Sequence, residues 1–85
     1  VNPQWEVVAA VVEWHAGHRG RERPEAVVLG NRRLTLTVEE SRLVGPAVAG
    51  LPTHRVFLVS AADGRRLRIT AFSGGRVVVE TVAVG

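Results

Sequence analysis

Apolar and polar positions alternate with a period of two through most of the chain beyond residue 30. Leu34, Leu36 and Val38 alternate with Thr35, Thr37 and Glu39. Val56 and Leu58 alternate with Arg55 and Phe57, and Leu67, Ile69 and Ala71 with Arg66, Arg68 and Thr70. Val77-Val78-Val79 is β-branched throughout. Turn-forming residues punctuate these runs at Gly30-Asn31, Asp63-Gly64 and Gly74-Gly75. The pattern predicts strands near 25–30, 32–41, 54–61, 65–72 and 76–83.

Residues 5–14 read two ways. Asn2-Pro3 suits a helix cap and first turn, with Gly17 as the stop. That gives a helix over 3–16 packed on a five-strand meander, an α+β alternative. Four Val and two Trp in those ten residues favour a strand instead. Residues 16–25 read as a polar loop carrying Arg19, Arg21 and Arg23. Residues 42–53 read as a second connection, in which Gly45-Pro46 and Pro52 oppose a helix. Leu43, Val44, Val48 and Leu51 are too many apolar side chains for a free loop. They are expected to cap an open barrel end or to contact a second copy.

Hairpin register sharpens the picture. With Asp63-Gly64 at the centre of a two-residue loop, Ser60 faces Leu67, Leu58 faces Ile69 and Val56 faces Ala71. One face is then nearly all apolar. A three-residue Ser73-Gly74-Gly75 loop places Val77 and Val79 on that face, Arg76 opposite Phe72, and Glu80 opposite Arg68. A two-residue loop there would bury Glu80. The other face then gathers Arg55, Phe57, Arg66, Arg68, Phe72 and Arg76. Such a surface suits phosphate contact with base stacking, or a protein partner.

At 85 residues the chain is expected to form a single domain, 1–85. It is 46% hydrophobic and 22% charged, which excludes a disordered polar tail. The uncharged run Val7–Val12 falls far short of the roughly 20 residues that span a bilayer, and no membrane partner is expected. No signal peptide or lipidation motif is read. Without Cys there is no disulfide scaffold. The net charge is +3, while the pI is 11.3. All eleven basic residues are Arg, with no Lys, Tyr or Cys titrating below them, so the pI overstates the bias.

Catalytic chemistry finds little support. His15 and His18 are three apart and lie near Glu13 and Glu22, but a metal site needs a further arranged ligand. Ser41, Ser60 and Ser73 sit in no nucleophile elbow. Glu39 and Glu40, adjacent on a strand, are expected on opposite faces and so form no acid–base pair. No enzyme activity, metal or cofactor is expected.

The segment WHAGHRGRERPEAV supplies Gly17, Arg19, Glu22, Arg23 and Pro24. It resembles a family of small uncharacterised bacterial cytoplasmic β-proteins with the pattern Gly-x-Lys/Arg-x-x-Glu-Arg-Pro. Further counterparts are Val38 with Glu40, Gly45-Pro46, Phe57 with Val59, and Asp63-Gly64. The likeness spans roughly 8–82. It implies a strand over 8–15, a small β-barrel or rolled sheet, and a cytoplasmic location, and it brings no established activity. Where the family carries aromatics, this chain has His15, His18, Leu34, Leu43 and a Val near 77–78. That substitution implies space-filling at those positions rather than base stacking.

The reading that follows is a mainly β, antiparallel six-strand barrel or rolled sheet without enzymatic activity. Its expected role is a protein-interaction or self-association module. The alternative is weak, non-specific nucleic-acid binding through Arg55, Phe57, Arg66, Arg68, Phe72 and Arg76, aided by Arg19, Arg21 and Arg23.

Overall fold

The computed structural model describes residues 4–16, 22–45 and 53–82, with Ala16 and Glu22 as backbone only. Every element in it is a strand: β1 Trp5–Val8, β2 Val11–Ala16, β3 Glu22–Leu29, β4 Arg32–Val44, β5 His54–Ala61, β6 Arg66–Phe72 and β7 Val77–Val82. They form one antiparallel sheet in the order β1-β7-β6-β5-β4-β3-β2. The mainly β expectation holds. The helix over 3–16 does not: the β-branched and aromatic content outweighs the capping signal at Asn2-Pro3.

The sheet's two edge strands, β1 and β2, are consecutive in the chain and separated only by Ala9-Ala10. Three Cα steps bring Val8 within about 11 Å of Val11. The sheet must therefore curl until its edges approach, and it forms a half-barrel. Inward alternation continues through the bend, since Val8, Ala10, Val12 and Trp14 all pack on the core. One amphipathic segment thus supplies both edges, which accounts for six predicted strands becoming seven.

The concave side holds Val27, Leu34, Leu36, Phe57, Val59, Leu67, Ile69 and Val79, all buried. Two ladder shifts bend the strands, one between Glu13 and Trp14 against β3, the other between Val38 and Glu40 against β5. Pro24 is fully buried opposite Trp14 at the first of these, where the broken ladder tolerates a residue without an N–H. Residues 22–25, expected in a loop, therefore belong to β3. Residues 42–44 likewise extend β4 against β5. Arg19, Arg21, His18, Val48 and Leu51 lie outside the described residues.

The β5–β6 register differs from the expected one by a single residue. The Ala61 N–H donates to the Arg65 carbonyl and the Gly64 N–H to the Ala61 carbonyl, each at 2.9 Å. The loop is therefore three residues, Ala62 to Gly64, with Gly64 at φ +94°. The Asp63 carboxylate accepts the Arg65 backbone N–H and pairs with its guanidinium, which holds the carboxyl below its usual range. Phe57 consequently faces Ile69, and Val59 faces Leu67. A one-residue shift exchanges the faces of β5, so Phe57 points into the core at 3% exposure and Leu58 points out. Composition could not choose between the registers, because β5 carries apolar residues on both faces. The β6–β7 hairpin has the expected three-residue loop, with Arg68 opposite Glu80.

Only a residue tolerating positive φ suits position 64. Gly64→Val is expected to cost about 1–3 kcal/mol through backbone strain, since nothing lies within 4 Å of an added Cβ. A thermal melt reads this directly, and an unchanged midpoint would contradict the loop geometry.

Candidate interaction site

The convex face of β4–β7 is built from the residues that alternate with the core. β5 contributes Val56 and Leu58, β6 contributes Arg66, Arg68, Thr70 and Phe72, and β7 contributes Val78, Glu80 and Val82. Beyond the bulge, β4 adds Glu40, Arg42 and Val44. Trp5 of β1 lies opposite Val82 and closes one side. One cross-strand row runs Arg42, Val56, Thr70 and Val78, and the next Glu40, Leu58, Arg68 and Glu80, so half-buried Val56, Leu58 and Val78 sit among polar and charged neighbours. A shallow groove of about 550 Å³ runs over them between Trp5 and Phe72. A second hollow of about 400 Å³ lies by Trp5, Arg66 and Val82.

The charges on this face are largely neutralised in place. Arg68 makes a two-pronged contact with Glu80 at 2.9 and 2.8 Å, and its guanidinium lies 4.7 Å from the Trp5 ring centre. The Glu80 hydrogen bond lifts the Arg68 pKa further above its ordinary value. Arg66 pairs with Glu39 at 2.9 Å, and Arg42 with Glu40 at 2.8 Å. Ser60 Oγ donates to Glu39 at 2.7 Å. Glu39 and Glu40 thus share one face, contrary to the expectation of opposite faces. The extra residue in the bulge interrupts alternation and turns both carboxylates outward. Hydrogen bonds from Ser60 and then Arg66 hold the Glu39 carboxyl below its ordinary 4.5. It is thus kept ionised rather than poised to exchange a proton.

The predicted Arg/Phe surface is therefore divided between two faces. Arg66, Arg68, Phe72 and Arg76 are on the convex side, with Arg76 5.6 Å from the Phe72 ring centre. Phe57 is in the core, and Arg55 sits on its row, at the mouth of the half-barrel. Arg23 is exposed on β3 opposite His15. Sequence reasoning missed Arg42, Glu39, Glu40, Leu58 and Trp5 as members of the face. The signal that would have found them is the outward row of β5, once the three-residue loop is assigned. Among the described residues no three His, Cys, Asp or Glu side chains gather as a metal site, and no helix is long and apolar enough to cross a membrane.

Glu39 also carries a pH signature. Its lowered pKa means that its hydrogen bonds stabilise the fold fully above the ordinary carboxylate pKa, and that this stabilisation fades as pH falls through the lowered value. The difference in melting temperature between wild type and Glu39→Gln should therefore be largest near neutrality and shrink in acid. A difference that grows in acid would contradict the pairing.

Compared with protein-family models, curated proteins and solved structures, the chain finds no match.

Proposed function

We propose that the chain is a non-enzymatic protein-interaction module that docks a protein surface on the convex face of β4–β7. The observation that carries this reading is the setting of half-buried Val56, Leu58, Val78 and Trp5 among charges that are largely paired in place. Four guanidinium groups, Arg42, Arg66, Arg68 and Arg76, share the face with three carboxylates, Glu39, Glu40 and Glu80. Such a surface offers little net attraction to a phosphate backbone. It does carry the aromatic residues and Arg in which protein interfaces are enriched, beside half-buried Val56, Leu58 and Val78. In keeping with the family that the Gly17–Pro24 segment resembles, we place the module in the cytoplasm.

A photo-crosslinking residue in place of Thr70, the middle of the outward row, tests the proposal in lysate of the protein's own cells. Adducts that survive nuclease and disappear with protease are expected, at undiminished yield in high salt. The same residue placed at Asn31, in the remote β3–β4 turn, gives the background. Adducts at Thr70 no more abundant than at Asn31, or removed by nuclease, would overturn the reading.

A further inference from the structure

The concave row of β5 runs Ala61, Val59 and Phe57 and ends in Arg55, the one charged residue on it. Its cross-strand neighbours are Leu43 of β4 and Ala71 of β6, both apolar. Among the described residues no carboxylate pairs with it. Arg55 lines a cavity of about 380 Å³ at the mouth of the half-barrel. Trp14, Phe57, Phe72 and Val77 give this cavity an apolar wall, with the Trp14 and Phe57 rings edge to face at 5.7 Å. His54, tilted on Phe72 at 5.3 Å, and the hydroxyls of Thr53 and Ser73 add polar groups, and no described acidic residue lines the space. Arg76, 5.6 Å from the Phe72 ring centre, is likewise without a carboxylate partner among the described residues.

We propose that this mouth binds a small flat anion: an aromatic ring system bearing a carboxylate or a phosphate. The volume lies within the range of about 300–1,000 Å³ usual for small-molecule sites, and the lining has their composition, apolar walls with few polar groups. The half-buried Trp14 and Phe72 rings offer surface to a planar body, and the buried Phe57 ring backs Trp14. A guanidinium fork matches the planar geometry of a carboxylate or the oxygens of a phosphate. A neutral ligand of the same shape would forgo the charge-assisted contact with Arg55, so the anion is favoured over it. Phe72 and Arg76, at the rim, border the convex face as well, but Arg55, Trp14 and Phe57 lie on the concave side, away from the convex-face ion pairs, and it is on these three that the inference rests.

Amide and indole NMR shifts of the full chain provide the test, with naphthoate and adenosine monophosphate as anionic probes and naphthalenemethanol and adenosine as neutral controls. At least one anion is expected to shift the Trp14 indole and the amides of 54–57 and 71–77 saturably, well ahead of its neutral control. Naphthoate alone indicates an aromatic acid, the nucleotide alone a nucleoside phosphate, and both that ring and charge suffice. Arg55→Gln is expected to weaken the effective probe about tenfold or more. Thr35→Ser, exposed on β4 and outside both faces' sites, should leave binding as it is. Failure of both anions to shift these resonances, equal binding by a neutral control, or undiminished affinity in Arg55→Gln would overturn the proposal.

Discussion

Phe57→Ala will destabilise the fold by about 3–5 kcal/mol, the range for truncating a buried aromatic ring. A chain of this length holds roughly 4–13 kcal/mol in all, so the loss takes about a quarter of that stability or more. The reason lies in the β5–β6 loop. Three loop residues place Phe57 opposite Ile69 and edge-on to Trp14, with 3% of its surface exposed. Leu58→Ala, one residue along on the convex face, will cost under about 1.5 kcal/mol, because Leu58 is only half-buried. Denaturant melts of the two variants compare the faces of one strand. Equal losses, or a larger loss for Leu58→Ala, would contradict the register.

Ile69→Ala is expected to cost about 2–5 kcal/mol, and Ile69→Val only about 0.5–1.5. Ile69 is fully buried at the middle of β6, between Phe57 on one side and Val79 on the other. Truncating it removes the contact that joins both neighbouring strands to the core. Because Ile69 and Phe57 share one wall, the double Ala variant should cost less than the sum of the singles. Equilibrium unfolding of the four chains measures that coupling, and strict additivity would mean that the two side chains do not share a cavity.

Most of the strands were legible because alternation and glycine turns are local signals. Leu34, Leu36, Leu67 and Ile69 announce their strands and their common face without reference to any partner. The β6–β7 register was also legible, because Glu80 forbids the competing loop by its charge. The β5–β6 register was not. Val56 and Leu58 are as apolar as Phe57 and Val59, so hydrophobicity left two registers almost equal. Loop conformation decided between them, with Gly64 at positive φ closing three residues rather than two. The convex site inherited that ambiguity. Its acidic members were hidden for another reason: the bulge at Glu39 is a departure from alternation that alternation itself cannot forecast. The Ala9-Ala10 bend was invisible as a break because the inward positions Val8, Ala10, Val12 and Trp14 keep their period through it.

On the proposed reading, the convex face, with three of its four guanidinium groups held by its own carboxylates, serves a protein rather than a nucleic acid. Titration of labelled single-stranded DNA and RNA at low salt tests it most directly, using wild type, an Arg66→Glu/Arg68→Glu variant and a Glu39→Gln/Glu40→Gln/Glu80→Gln variant. The Arg changes are expected to leave whatever binding wild type has unaltered. Removing the three carboxylates is expected to create new binding that falls steeply with added salt. Wild-type binding that is lost on replacing Arg66 and Arg68, with no gain when the carboxylates are removed, would contradict the reading.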